Sequence, residues 1–366
     1  MSMLNGFATS ISGMKVAQSQ LDIIGRNIAN VDTPGYTRKT AQQNSVVLAG
    51  SAAGVKLGNV ERTVNESLLK SFLASNSTVG SVSVKSDYLS QMQTNLGTPS
   101  GENSIAMNVS DLQSAFNNFA IDVMSASGRY NLLNSAQTLT SRLNSLTSAV
   151  QKLRGDADVQ ISADVETVNG LLDKIDDLNE RIVKNKVLGY DGVADLEDQR
   201  DQALRELSGY IDINYYQRDS GEVVIQTKKG VMLLDKDPHY LSHNAITQAG
   251  ATSGYSDGAI AGIFVDGVDI TDKITGGEIA GLIEVRDETL SSLQSQLDEL
   301  AGVIKDQVNQ AHNRGTAFPN PPSELTGSRD FIDSAAQRIK IENGDVRITI
   351  FDEEGKQVST GSLIGD

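Results

Sequence analysis

Hydrophobic positions at the start of the chain recur in alternate steps of three and four. Leu4, Phe7, Ile11, Met14, Gln18, Leu21, Gly25 and Ile28 fall on one line of a helix, which is the spacing of a coiled-coil seam. The pattern predicts a helix over about residues 2–31, roughly 45 Å long at about 1.5 Å per residue. Such a seam needs a covering surface, because an isolated helix is marginal in water. The seam is therefore expected to order fully on neighbouring subunits. Pro34 pushes Thr33 out of helical backbone angles, and Pro34-Gly35 supplies the fixed φ and free positive φ of a type II turn. From Tyr36 to Val60 the chain reads as a hairpin or irregular ribbon, with Val46, Val47, Leu48, Val55 and Leu57 punctuated by Gly50, Gly54 and Gly58.

Residues 61–209 carry helical periodicity almost throughout. Val64, Leu68, Phe72 and Val79 open one helix, continued by Tyr88, Met92 and Leu96 until the break at Gly97 to Gly101. Leu112, Phe116, Phe119 and Val123 predict a second. Leu132, Ala136, Leu139, Leu143, Leu146 and Val150 predict a third. The acidic run Asp156 to Asp164 suits the N-terminus of a fourth, along Val165, Val168, Leu172, Ile175, Leu178 and Ile182. Leu196, Arg200, Leu204 and Leu207 mark a fifth. Past Gly209 the period falls to two: Ile211, Ile213 and Tyr215, then Val223 to Thr227, Val231 to Leu234 and Ala259 to Val265, predict one small β-meander over residues 210–275. A last long helix over 276–315 places Ile283, Leu290, Leu293, Leu297, Leu300, Ile304 and Val308 on a stripe. Residues 316–366 read as the start of a further, mostly β domain, with a helical turn over 332–339, a strand at Val346 to Phe351 and a turn at Glu353 to Lys356. The fold class expected is mainly α: an elongated bundle of long amphipathic helices with a small inserted β-sheet region.

Composition narrows the chemistry. Thirty-one basic residues against 47 acidic ones leave a net charge of −16 over 366 residues, which disfavours nucleic acid and anionic membrane surfaces as partners. Cysteine is absent, so disulfides, thiolate metal sites and a cysteine nucleophile are excluded. The chain has no run of about 18 apolar residues and no basic stretch followed by an apolar one at its start. His239 and His243 stand four apart beside Pro238 with no intervening glutamate, and are expected to be surface histidines. The acidic run Asp191 to Asp201 lacks a calcium-loop glycine and is expected to be a solvated helix face. Nucleophile-elbow, dinucleotide and phosphate-loop motifs do not occur. No catalytic, cofactor or metal residue is predicted.

The run Asn27-Ile28-Ala29-Asn30-Val31-Asp32-Thr33-Pro34-Gly35-Tyr36, preceded by Ser12-Gly13-Met14 and Gln18 to Asp22, resembles the N-terminal signature of bacterial flagellar axial proteins. That family comprises rod, hook and hook-associated proteins. The stretch Asp195 to Ser208 is similar to a segment of the hook-associated branch, as are Gly276, Gly277, Gly281 and Leu282 with the close at Asn309 and His312. The resemblance implies a structural subunit, not an enzyme, that joins hook to filament and self-assembles through its N-terminal helix in head-to-tail contacts. Leu4, Phe7, Ile11, Met14, Leu21 and Ile28 would pack between subunits. Asn27, Asn30, Thr33, Pro34, Gly35 and Tyr36 would form the family motif that redirects the chain. Implied partners are the hook protein, the second junction protein, copies of itself in a ring, and an export chaperone. Export would run through the flagellar type III channel. The resemblance also implies a closing C-terminal helix, and no such helix is read before Asp366. The alternatives are a hook or distal-rod subunit, which would have a β-rich middle, and an axial domain fused to a wall-digesting hydrolase.

Overall fold

The computed structural model describes residues 2–48, 51–98, 101, 104–188, 192–246, 250, 253–313, 347–351 and 357–362. It is mainly helical with small antiparallel sheets. Its contacts divide the chain into two units: Met1–Ser104 with Asn144–Ser295, and Ile105–Leu143 with Gln296–Asp366.

The first unit opens with helix α1 (Ser2–Ala29) and the antiparallel hairpin β1 (Lys39–Leu48) and β2 (Ser51–Arg62). Helix α2 (Glu66–Leu96) starts where the Asn65 side chain accepts the Leu68 amide, and it stops at Gly97, whose φ is 76°. Its buried face is Leu69, Leu73, Ser77, Val84 and Met92. Leu68, Phe72 and Val79, expected on the packed face, are exposed. Apolar residues at adjacent positions such as 68 and 69, or 72 and 73, give a helix two stripes about 100° apart, and periodicity does not say which one is covered.

The third and fourth predicted helices are a single helix, α4 (Ala126–Leu188), of 63 residues. The acidic run lies in its middle and starts nothing. Gly155 alone cannot break a helix, costing only about 1 kcal/mol against alanine, and Asp158 beside it finds lateral partners. Asp158 accepts from Arg286 and from the Ile246 amide. Helix α5 (Val193–Tyr210) follows, then the meander β3 (Ile213–Gln217), β4 (Val223–Thr227) and β5 (Met232–Leu234). The inserted β region is two sheets where one was expected. Leu241–His243 forms a strand, β6, that pairs with β7 (Ile263–Val265), which pairs with β8 (Val268–Asp269). Three-residue strands leave too little alternation to be seen in advance.

The last helical run begins at Gly277, φ 87°, as α6 (Glu278–Glu284), passes through a π-helical turn at Val285–Thr289 and continues as α7 (Leu290–Asn313). The core joins Ile161, Val168, Leu172 and Ile175 of α4 with Leu204 and Leu207 of α5, Ile279 and Leu282 of α6, and Val223 and Ile225 of β4. Backbones meet at glycines. A methyl group on Gly80 would overlap the Gly209 carbonyl oxygen, and one on Gly277 would overlap Tyr210, so α2, α5 and α6 touch without side chains between them.

The second unit contains α3 (Ile105–Ile121), the first turns of α4, the end of α7, and an antiparallel pair β9 (Arg347–Phe351) and β10 (Gln357–Ser362). Helix α3 ends before Val123, because Asp122 accepts the Met124 amide in a turn and Ser125 caps α4 by accepting from Gly128. The expected helical turn at 332–339 and the turn at Glu353 to Lys356 lie outside the described residues.

Candidate assembly site

Helix α1 has two working faces. One lies on the hairpin through Val16 and Ile23, which are 4% and 5% exposed. On that face Ser12 accepts the Val55 amide at 3.1 Å, and Gly54, at φ 132°, sits where any side chain would run into Ser12. The other face is the predicted seam. Phe7, Met14, Leu21 and Ile28, spaced seven apart over three heptads, are 67–69% exposed. Ile11 is half-buried, Gln18 and Gly25 are exposed, and the Leu4 side chain lies outside the described residues. Ile24 and Val31 widen this bare apolar strip.

The motif at the end of α1 does something specific. The Asn27 side-chain amide behaves like a peptide group: its Nδ2 donates to the Lys39 carbonyl at 2.8 Å, and its Oδ1 accepts the Lys39 amide at 3.0 Å and the Tyr36 hydroxyl at 2.9 Å. It thus extends the ladder of β1 by one partner. Asn30 donates to the Arg26 carbonyl and accepts from the Thr33 hydroxyl. The Tyr36 amide bonds back to the Thr33 carbonyl at 3.2 Å across Pro34 and Gly35, and Gly35 has φ 84°, as a type II turn requires. A side chain at Gly35 would also press on Gln202 of α5. Four of the six motif residues, Asn27, Asn30, Thr33 and Tyr36, are thereby joined by hydrogen bonds, with Pro34 and Gly35 as the corner of the turn.

This turn and the foot of the hairpin are locked to α5. Thr37 donates its amide to Asp198 at 3.2 Å and its hydroxyl at 2.5 Å. The Lys39 ammonium lies 4.1 Å above the Tyr36 ring and pairs with Asp195 and with Asp198. Arg62, at the far end of β2, pairs with Glu197 at 2.9 Å and with Asp198 and Asp201. Burial pulls both cations down, but the carboxylates outweigh it and hold Lys39 and Arg62 above their ordinary ranges. Burial lifts Asp201 more than Arg62 lowers it. The acidic run expected to be a solvated face is therefore an ion-pair clamp, with Asp198 and Asp201 buried. Its partners Lys39 and Arg62 lie more than 130 residues away in sequence, beyond the reach of any local pattern. Next to it, Arg200 is buried and donates to Asn179 and the Gly221 carbonyl.

Of the two histidines, His243 departs from expectation and His239 does not. The His243 side chain is fully buried, with Nε2 3.1 Å from Asp158 and Nδ1 3.1 Å from the Gly262 carbonyl, whereas His239 pairs with Asp266 at the surface. Strand β6 faces the α4 side chains at this point, which a two-residue spacing argument could not show. Among the described residues no cluster of three His, Asp or Glu is placed to hold a metal, and no helix is long and apolar enough to cross a membrane.

A sequence model described as the flagellar hook-associated protein FlgK helical domain matches residues 89–324. The chain belongs to the flagellar hook-associated protein FlgK family. Residues 7–37, the exposed seam and its turn, match a second model, described as flagella basal body rod protein. Flagellar hook-associated protein 1 of Escherichia coli (strain K12) is 23% identical over 317 residues, 84% of this chain and 56% of the relative. That of Bacillus subtilis (strain 168) is 23% identical, covering 97% and 76%. The flagellar basal-body rod protein FlgG of Bacillus subtilis is 42% identical over 60 residues, 15% of this chain and 23% of that protein. The chain spans about half the length of the first of these FlgK-family relatives. The flagellar hook junction protein FlgK from Burkholderia pseudomallei shares its fold, with TM-score 0.59 and 22% identity over 80% of this chain and 57% of that one. The helices between α2 and α5, where a hook-type protein was expected to be β-rich, lie inside the FlgK match.

Proposed function

We propose that this chain is the structural subunit that joins flagellar hook to filament, packing against other axial subunits through the exposed face of α1. The observation that carries this reading is the three-heptad strip Phe7, Met14, Leu21 and Ile28, left bare while the opposite face of the same helix is buried. Fully burying an aliphatic or aromatic side chain is worth roughly 1.5 to 3 kcal/mol, and a strip of this kind on a monomer marks a surface meant to be covered. Leu4 and Ile11 fall on the same helical line in the sequence. The role of Asn27, Asn30, Thr33, Pro34, Gly35 and Tyr36 is to end that helix at a fixed angle and hand the chain to the clamp on α5.

The partners that follow are the hook protein on one side, the second junction protein on the other, and copies of this chain around the ring, with an export chaperone before assembly. The work is mechanical, and the chain reaches its place through the flagellar export channel. Residues 1–60 would form the axial segment, 61–209 and 276–315 the helical body, and 210–275 the β insertion. The test is to add purified chain to isolated hooks that lack filaments and to image them by electron microscopy. Ordered density at the distal hook end supports the reading. Density at rod ends instead would favour a rod subunit, and no density at either would remove the junction role.

A further inference from the structure

Asp164 stands apart from every other acid in α4. It is 2% exposed, its Oδ1 accepts from Gln160 at 2.9 Å, and its Oδ2 is buried with no hydrogen-bond partner among the described residues. The titratable groups close enough to share its electrostatic field are Glu278 at the start of α6, Tyr88 of α2 and Tyr210 of α5, with Asp87, Asp156 and Glu206 acting on these in turn. All are acids or phenols. The nearby lysines are engaged elsewhere: Lys85 pairs with Glu284 and Lys174 with Glu206. The surrounding helices meet through Gly80, Gly209 and Gly277 with their backbones in contact. A buried carboxylate oxygen without a donor, with another acid as its nearest charge, is relieved by binding a proton.

We propose that Asp164 is a proton-binding site in the helical body, a carboxyl that stays neutral while α4 is packed against α2, α5 and α6 and that loosens this packing when it ionises. Burial, then the Glu278 charge, lifts its pKa from the ordinary carboxylate value to about 7. The sign follows from linkage: the folded state holds the proton more tightly than the unfolded one, so the stabilisation is complete below about pH 4 and is lost as pH rises through about 7. Glu278 is raised as well, by burial and by Asp87, so its own ionisation works in the same direction. This device is independent of the assembly reading.

The test is thermal unfolding of the full chain from pH 4.5 to 8.5, wild type against Asp164→Asn and Glu278→Gln. Asparagine keeps the shape and cannot ionise. Asp164→Asn is expected to melt close to wild type at pH 4.5 and to melt higher at pH 8.5, removing the wild-type loss between about pH 4.5 and 7. Glu278→Gln is expected to shrink that loss, because it removes the anion that raises Asp164. Parallel curves for wild type and Asp164→Asn would overturn the proposal. Should Asp164→Asn fail to fold, an unaltered pH dependence in Glu278→Gln would overturn it instead.

Discussion

Helices α1 and α4 look alike as patterns, each a seam in steps of three and four, and they end in opposite situations. Helix α4 buries Ile161, Val168, Leu172, Ile175 and Ile182 completely. Helix α1 buries Val16 and Ile23 and leaves Phe7, Met14, Leu21 and Ile28 in solvent. Nor is α1 held in the same way. Its anchor is polar: an asparagine imitating a peptide group, a type II turn, and two cations of the hairpin set into four carboxylates of α5. An anchor of directional bonds fixes where a helix points without using up its apolar surface. The difference teaches that periodicity announces an apolar face, but not whether the same chain covers it.

The contrast is broken or sharpened most by paired truncations. Leu172→Ala should cost about 3 kcal/mol in denaturant unfolding, through a cavity in the α4 core. Leu21→Ala should stay within about 0.5 kcal/mol, as an exposed site does. Similar losses would mean that α1 is covered within the chain. Next comes the clamp: Asp198→Ala leaves Lys39 and Thr37 short of a partner and should cost about 2 kcal/mol. The cost is local, so it should appear as roughly 30-fold faster amide exchange along Lys39 to Arg62, with the α4 core unchanged. Gly35→Ala forces a methyl group to a φ near 84° beside Gln202, and should lower stability by about 1 kcal/mol in the same unfolding assay. Smallest is Tyr36→Phe, which removes one hydrogen bond to Asn27. A loss of about 0.5 to 1 kcal/mol is expected, and less still when Asn27 is already alanine.

Local chemistry was legible wherever it stayed local. Thr33 to Tyr36 spells its turn, Gly97 and Gly277 end and begin helices, and the seam of α1 is written in its own spacing. Three things were hidden because they depend on distant partners. Asp156 to Asp164 has the composition of a helix start, but Arg286 and the Ile246 amide make Asp158 a mid-helix residue. Asp195 to Asp201 looks solvated until Lys39 and Arg62 arrive from the hairpin. His243 looks like a surface residue until β6 pairs with β7 over α4. On α2 the spacing picked out the stripe of Leu68, Phe72 and Val79, and the covered one is Leu69, Leu73, Val84 and Met92 because α5 and α6 approach from that side. The family motif pointed to α1 and its turn; the clamp that holds them needed the fold.

The most direct measurement pairs folding with hook binding in one variant, Leu21→Asp with Ile28→Asp. The account predicts an unfolding midpoint close to that of wild type together with loss of density at the distal end of filament-free hooks. A variant that unfolds, or one that folds and still decorates the hooks, would contradict the division of α1 into a face for the fold and a face for assembly.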